Sequence, residues 1–270
     1  MKPLPDVHPS GFWDALAPHH AAIEDNYLDR RSLRHILPEL RAPVLLVGAG
    51  QGLILEGLRK SGFQSEGVDL SSEMIRHAKR RRGLDIVHAD ARALPYATGT
   101  FETILFATGV VDFVSDEALI VAMLQEGRRV LRPLGSMWVA FYRMSPPLED
   151  FVARTGLLQN HRLLFRQTLE LHRLNLIQTL GWVAQRVQVG RWQAAALMLR
   201  MWFRSTRQEK VAALNMQKIF RNAAQGQSLI KAAPETQPYR NEPEIRNLFT
   251  RLAIPLQELQ TLQSCFIARV

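Results

Sequence analysis

A short glycine-rich turn between two apolar segments constrains the fold of this chain more than any other feature. Residues 43–70 read PVLLVGAGQGLILEGLRKSGFQSEGVDL. This order predicts a strand, a glycine turn, a helix and a second strand that ends at Asp69. Glycines in such a turn adopt backbone angles that a side chain would forbid, and they let a ligand approach the main chain closely. The segment therefore predicts a nucleotide-binding βαβ unit with a ribose at the tips of two parallel strands.

The spacing of the glycines indicates which nucleotide is bound. Leu53 occupies the place of the third glycine in the dinucleotide pattern G-x-G-x-x-G, so the turn reads G-x-G-x-G. This spacing resembles motif I of the class I S-adenosylmethionine-dependent methyltransferases. The resemblance implies that Asp69 accepts hydrogen bonds from both ribose hydroxyls. It also implies that S-adenosyl-L-methionine is held by Gly48, Ala49, Gly50 and Gly52, with Leu70 and Met74 beyond the second strand.

The resemblance continues along residues 88–114, which read HADARALPYATGTFETILFATGVVDFV. An acid after the third strand, a Leu-Pro-aromatic turn and a Phe-acid pair before the fourth strand are typical of the same family. The family pattern implies that Asp90 and Ala91 contact the adenine. It places Ala107 and Thr108, which close the fourth strand, against the methionine portion of the cofactor. The match covers roughly residues 40–145 and resumes weakly at residues 242–270.

Five apolar segments alternate with helical stretches, at residues 43–48, 64–69, 84–88, 101–107 and 135–142. Alternation of this kind favours a parallel sheet covered by helices on both faces. We predict an α/β fold: a Rossmann-like, doubly wound, mostly parallel sheet with an antiparallel last strand. The predicted parts are an N-terminal helical cap (1–40, with a break at Ala17-Pro18), a cofactor domain (41–147 and 241–270), and a basic helical insert or lid between strands 5 and 6 (148–240).

One departure from the family pattern concerns the residue two places before the first glycine. The family usually carries Asp or Glu there, and this chain has Leu46. The acid normally anchors the glycine turn and a polar end of the cofactor. Its absence leaves open a catalytically degenerate protein that keeps the fold for binding or scaffolding.

The insert carries the excess positive charge of the chain. Residues 151–240 contain 14 Lys and Arg residues against three Glu, whereas the whole chain carries +9. We predict three or four helices here, broken near Gly181 and Val189-Gly190, with Gln227 to Tyr239 as a returning loop. A lid over an apolar or anionic substrate, a basic surface that meets a membrane, an acidic partner, and a packing or dimer surface remain open. Nucleic acid is disfavoured because the arginines are interspersed with Leu and Met.

No universal catalytic signature exists for methyl transfer, since a general base is needed only when the acceptor must lose a proton. The candidate bases are His19, His20, Tyr27, Asp112 and Tyr142. The sequence predicts no metal site, because no Cys/His cluster has zinc spacing.

The single cysteine, Cys265, and the lack of a signal-peptide pattern predict a cytoplasmic protein. Peripheral contact with a membrane through the basic insert stays open. The leading hypothesis is S-adenosylmethionine-dependent methyl transfer to a small-molecule or lipid-like acceptor bound under the insert. The alternatives are the degenerate scaffold and, with less support from the glycine spacing, a nicotinamide-dinucleotide enzyme. The sequence does not indicate an oligomeric state.

Overall fold

The computed structural model describes residues 10–21, 30–205, 207–221, 223–235, 237–262 and 265–270. The chain divides into two compact units. We call Met1–Arg143 with Arg240–Val270 the sheet unit, and Met144–Tyr239 the helical unit. The three-part division expected from the sequence, with its separate N-terminal cap, stays a prediction.

The sheet unit alternates strands and helices as the apolar pattern predicted. Its elements in chain order are α1 (Ser10–His20), α2 (Arg30–Ile36), β1 (Val44–Val47), α3 (Leu53–Lys60), β2 (Ser65–Asp69), α4 (Ser72–Arg82), β3 (Val87–His88), β4 (Phe101–Phe106), α5 (Glu117–Val130) and β5 (Leu131–Tyr142). After the helical unit the chain returns through α12 (Glu242–Arg251), β9 (Glu258–Thr261) and β10 (Cys265–Arg269).

The seven strands form one sheet in the order β3-β2-β1-β4-β5-β10-β9. β1 pairs in parallel with both β2 and β4, and β10 pairs antiparallel with β5 and β9. The predicted Rossmann-like sheet with an antiparallel last strand is confirmed. Because the chain runs outward from β1 in one direction and resumes at β4 in the other, the strand order reverses between these two strands. In open parallel sheets this reversal marks the crevice where ligands bind.

The sheet separates two apolar clusters. On β1, Leu45 and Val47 pack into the cluster that contains α5 and α12 residues, whereas Val44 and Leu46 pack into the cluster on the α2 and α3 side. All four side chains are buried. A strand buried on both faces reads as a continuous apolar run, which is why VLLV could be recognised in the sequence.

Two local expectations for the sheet unit were wrong. α1 runs through Pro18 without a break. Pro18 lies in the last turn, where it cannot donate to the carbonyl of Asp14, and the helix ends two residues later at His20. The third strand is only two residues long, Val87–His88, rather than five. It is an edge strand, and it pairs with β2 at two positions only.

The helical unit is less purely helical than expected. It contains α6 (Pro146–Arg154), α7 (Phe165–Leu171), α8 (Leu176–Val187), α9 (Arg191–Arg204), α10 (Arg207–Arg221) and α11 (Ala223–Ala232). A small antiparallel sheet joins β6 (Leu158–Gln159), β7 (Arg162–Leu163) and β8 (Gln237–Pro238). The described part of the unit therefore has six helices, more than the three or four predicted. None of the helices described in the chain is long and apolar enough to cross a membrane.

The break between α8 and α9 is confirmed, but the break predicted at Gly181 is wrong. Gly181 lies inside α8, which begins with a capping box between Asn175 and Gln178. The side chain and main chain of these two residues satisfy amide groups that would otherwise lack partners, and this offsets the cost of an internal glycine. The predicted returning loop is also shorter than expected, because α11 extends to Ala232.

Candidate cofactor site

A cavity opens at the carboxyl ends of β1, β2 and β4, where the strand order reverses. It lies within the sheet unit. Ten of the predicted cofactor residues line it, together with one predicted base: Gly48, Ala49, Gly50, Asp69, Leu70, Met74, Asp90, Ala91, Ala107, Thr108 and His20. Gly52, His19 and Asp112 do not line this cavity, and Tyr27 lies outside the described residues.

The glycine turn adopts the left-handed backbone that its sequence predicts. The φ angles of Gly48, Gly50 and Gly52 are 76°, 53° and 84°. A Cβ atom at Gly48 would collide with Val110, and one at Gly52 would lie 2.5 Å from Leu84 Cδ1. At Gly50 the nearest atom would be His20 Cε1, at 3.8 Å. Gly48 and Gly52 therefore permit close packing within the protein, whereas Gly50 keeps the turn open beside the cavity.

Asp69 is held in place by main-chain amides on both sides. Its Oδ2 accepts from the Gly50 N–H at 2.7 Å, and its Oδ1 accepts from the Ser71 N–H at 2.8 Å. The N–H groups of Gly48 and Ala49 both donate to Val68 O at 2.9 Å. A carboxylate has about four lone-pair directions, so these bonds orient Asp69 and leave it able to accept more.

The side chain of Leu46 is completely buried. It packs in an apolar cluster that contains Leu55 and Leu58 of α3 and Ala49 of the glycine turn. The turn is anchored from β2, by Asp69 and by the Val68 carbonyl. In this chain the turn is therefore held without an acid at residue 46.

Gln51 connects the glycine turn to two helices. Its side chain is 1% exposed, its Nε2 donates to Ala17 O of α1, and its Oε1 accepts from Arg81 Nη1 of α4 at 3.2 Å. Asp14 makes a second link between these helices, because its Oδ1 accepts from Ser71 Oγ at 2.6 Å. α1 is thus attached both to the turn and to the start of α4.

An aromatic group from α1 forms one wall of the site. Trp13 lines the cavity, and its ring packs edge-on against Phe113 with a centroid separation of 5.0 Å. Phe12 contacts both of these rings, at centroid separations of 6.0 Å from Phe113 and 5.3 Å from Trp13. A Cβ at Gly109 would lie 3.4 Å from the indole, so the glycine lets the ring approach the segment after β4.

Asp90 forms an ion pair with a neighbouring arginine. Arg92 Nε donates to both carboxylate oxygens, at 2.9 and 3.0 Å, and Arg92 Nη2 donates to Oδ2 at 2.5 Å. Both side chains are largely buried and both residues line the cavity. A polar partner bound here meets a compensated ion pair rather than an isolated carboxylate.

The two histidines of α1 differ in their surroundings. Burial, followed by the charges of Arg82 and Arg81, lowers the pKa of His20 to about 4. His20 is therefore neutral near pH 7, where it can accept a proton only weakly. Burial also lowers the pKa of His19.

Asp112 is buried and bonded to main-chain amides. Its Oδ2 accepts from the Gly109 N–H at 2.8 Å, and the Tyr142 N–H lies 3.2 Å from both of its oxygens. Burial raises its pKa, and the amides of Gly109 and Tyr142 and the charge of Arg240 oppose that shift. The carboxylate thereby ties the turn after β4 to the end of β5.

Thirteen residues that line the cavity were not predicted, and three of them carry polar or aromatic side chains: Trp13, Gln51 and Arg92. Gln51 stands between two glycines of the motif, and Arg92 follows Asp90 by two residues, so both had a local signal in the sequence. Trp13 had none beyond its place in an N-terminal helix. Among the described residues, no group of His, Cys, Asp and Glu side chains could hold a metal ion.

Comparison with known proteins finds similarity to methyltransferases over part of the chain. The methyltransferase domain family matches residues 44–135. Demethylmenaquinone methyltransferase of Beutenbergia cavernae is 35% identical over 114 residues, which are 42% of this chain and 45% of that protein. Malonyl-[acyl-carrier protein] O-methyltransferase of Enterobacter lignolyticus is 31% identical over 142 residues, which are 50% of this chain and 53% of that protein. The chain thus spans about half the length of these relatives.

The crystal structure of the PH0226 protein from Pyrococcus horikoshii OT3 overlaps 88% of this chain and 85% of its own, at 16% identity and a TM-score of 0.48. The family match covers residues 44–135, which contain the glycine turn, Asp69 and Asp90. This part of the chain therefore resembles the class I S-adenosylmethionine-dependent methyltransferases, and the strand order of the sheet is of the Rossmann-like kind.

Proposed function

We propose that the protein transfers the methyl group of S-adenosylmethionine to a small-molecule or lipid-like acceptor. One observation carries the proposal. The Asp69 carboxylate, oriented by the Gly50 and Ser71 amides, stands at the end of β2 beside an open glycine turn. This arrangement suits a ribose diol next to a main chain that a ligand can approach.

The residues of the cavity fit the proposed cofactor by their chemistry. Asp69 supplies acceptors for hydroxyl groups, and Gly50 opens the turn. Apolar side chains surround this polar edge, as an adenine ring requires: Val47, Val68, Met74, Val110, Leu119 and Met123. The Asp90–Arg92 pair adds a polar contact at the end of β3, where the resemblance places the adenine amino group.

The cofactor supplies an electrophilic methyl group on a sulfonium centre, so the protein mainly orients the reactants. In the proposed arrangement Asp69 fixes the ribose, and Ala107 and Thr108 border the methionine portion. Trp13 and its aromatic neighbours exclude water from one side of the cavity. His20 is the predicted base that lines the cavity, and its lowered pKa suits an acceptor that loses its proton easily. Roles for His19, Tyr27, Asp112 and Tyr142 stay predictions.

The acceptor class is supported by the names of the relatives. One group is named for demethylmenaquinone, which is lipid-like, and another for the malonyl-[acyl-carrier protein]. We extend only the shared class, a small or lipid-like acceptor, to this chain. We include peripheral contact of the helical unit with a membrane in the proposal, since a lipid-like acceptor would be met there.

The test is calorimetric titration with S-adenosylmethionine and S-adenosylhomocysteine. We expect wild type to bind both, and Asp69→Ala to bind at least about 30-fold more weakly, because a charged acceptor contributes ~2 kcal/mol. Asp69→Asn keeps one oxygen acceptor and should lose less affinity. Asp85→Ala is the matched control, since Asp85 is an exposed acid that pairs with Lys79 on α4.

Two results would reject the proposal in different ways. If neither ligand binds to folded wild type, the degenerate scaffold replaces the enzyme. If NAD binds and S-adenosylmethionine does not, the nicotinamide-dinucleotide alternative is correct. Should Asp69→Ala unfold, the comparison of Asp69→Asn with Asp85→Ala still decides whether the carboxylate contacts the ligand.

A further inference from the structure

The helical unit exposes an apolar stripe along α9. Trp192, Leu199 and Phe203 are 89%, 54% and 75% exposed. They are separated by seven and four residues, so at 100° per residue they point within about 40° of one another. We call these three residues the α9 stripe. It is continuous over about three helical turns and is not a set of unrelated surface residues.

The opposite face of α9 is the one that packs. Ala194, on the far side of the helix, is completely buried, and α9 contacts α6 and α8 within the same unit. α9 therefore carries apolar side chains on its packed face and again along one part of its exposed face. A surface helix of a globular protein normally has a single apolar stripe, which faces the core. The packed face accounts for stability within the unit, which leaves the α9 stripe without a structural role there.

Arginines flank the stripe. Arg200 and Arg204 follow one another by one helical turn beside it, and both are exposed. Neither arginine takes part in an ion pair between described residues. Both border a groove that also contains Leu197 and Met201 of α9 and the Arg154–Asp150 ion pair of α6. The surface thus combines apolar side chains of the kind that enter a lipid interface with cations that suit phosphates.

We propose that α9 docks the protein onto an anionic lipid bilayer, with the α9 stripe in the interfacial layer and Arg200 and Arg204 on lipid phosphates. The proposal gives a surface to the membrane contact proposed above, and it does not depend on cofactor binding in the sheet unit. Trp and Phe on one face with arginines beside them are typical of helices that lie in the plane of an interface. The net positive charge of residues 151–240 complements an anionic leaflet.

The experiment is co-sedimentation of the full chain with vesicles of phosphatidylglycerol and phosphatidylcholine, compared with pure phosphatidylcholine. We expect binding to the anionic vesicles that weakens at high salt. Trp192→Gln with Phe203→Gln, and separately Arg200→Glu with Arg204→Glu, should each reduce the partition coefficient at least about tenfold, because each buried apolar group or charge contributes several-fold.

Matched controls exist in the sheet unit. Leu134 is 97% exposed at a positive φ of 66°, which asparagine tolerates, so Leu134→Asn removes an exposed apolar side chain elsewhere. Arg128→Glu reverses an exposed charge on α5. Both controls should sediment like wild type. All four substituted positions of α9 are exposed, so circular dichroism should show unchanged folding.

Several outcomes would overturn the inference. These are no sedimentation of wild type with anionic vesicles, equal binding to neutral vesicles, or equal losses in the controls. A dimer in sedimentation velocity that Trp192→Gln with Phe203→Gln returns to monomer would assign the stripe to a second copy of the chain. S-adenosylmethionine titration on the same samples distinguishes a failure of the membrane proposal from a failure of the proposed activity. The α9 variants leave the cavity unchanged, so they should bind S-adenosylmethionine like wild type.

Discussion

The sheet unit and the helical unit differ in how many of their large apolar side chains are exposed to solvent. The sheet unit packs them into two clusters on either side of the sheet, and its exposed exceptions are Val87 and Leu134. Eight large apolar side chains of the helical unit are exposed: Leu176, Ile177, Trp192, Leu199, Trp202, Phe203, Val211 and Leu214. Among the residues that the structure describes, similar residue types are thus buried in the core of one unit and exposed on the surface of the other.

The first prediction tests this contrast directly. Phe106 in β4 is completely buried, whereas Phe203 in α9 is 75% exposed. We expect Phe106→Ala to lower the free energy of unfolding by about 3–5 kcal/mol through a cavity, and Phe203→Ala to change it by less than about 0.5 kcal/mol. Urea unfolding followed by circular dichroism measures both. Similar losses in the two variants would mean that α9 is covered in solution.

The second prediction concerns the carboxylate that ties β4 to β5. Asp112→Ala leaves the buried amides of Gly109 and Tyr142 without their acceptor, and we expect a loss of about 2–4 kcal/mol in unfolding free energy. Asp112→Asn, which keeps an oxygen, should lose about 1 kcal/mol. If Asp112→Asn instead abolishes turnover at unchanged stability, the residue acts as a base, as first predicted.

The third prediction uses one histidine from each unit. Burial lowers the pKa of His172, stacked on Phe220, to about 4, as burial and two arginines do for His20. Histidines in the unfolded chain titrate near 6.5. Since the folded pKa is the lower one, the unfolded state takes up protons first, and stability falls as the pH drops from about 6.5 towards 4.

Between about pH 7.5 and pH 5, each histidine should cost up to about 2 kcal/mol of stability. In His20→Gln and in His172→Phe, the stability lost between the two pH values should be smaller than in wild type by the contribution of the replaced histidine. Urea unfolding at the two pH values provides the measurement, with the exposed His35 in a His35→Gln control. An unchanged pH dependence in both variants would show that neither histidine is buried in its neutral form.

The smallest effect is expected at the surface of the sheet unit. Arg246 and Glu242 form an i,i+4 ion pair on α12, with 53% and 42% of their side chains exposed. We expect Arg246→Ala to change the unfolding free energy by at most about 0.5 kcal/mol. Thermal unfolding at low and high salt would measure it. A decrease in unfolding free energy above ~1 kcal/mol would indicate that the ion pair stabilises the packing of α12 against the sheet.

The sequence predicted the sheet unit well because strands that are buried on both faces appear in the sequence as runs of apolar residues. β1 is buried on both faces and reads as four consecutive apolar residues, and the glycines that follow it need a left-handed backbone. Both signals are local. The position of Asp69 at the end of β2 followed from the same pattern, and so did its place beside the turn.

The rest depended on contacts between segments that are distant in the sequence. That Trp13 would line the cavity depends on how α1 packs against Phe113, which no local pattern encodes. In the helical unit, composition predicted helices, but Gly181 continues one and Ala194 rather than Trp192 is buried. Helix propensity does not reveal which face of an apolar helix meets its neighbours.

Gln51 couples ligand binding in the cavity to the docking of α1. Its side chain joins the glycine turn to the Ala17 carbonyl, and α1 also brings Trp13 and His20 to the cavity. A ligand that fills the cavity therefore binds the population in which α1 is docked, and by mass action it increases that population. The affinity measured for such a ligand includes the free energy of docking α1. Residues far from the ligand, such as Asp14 beside Ser71, then influence affinity through that equilibrium.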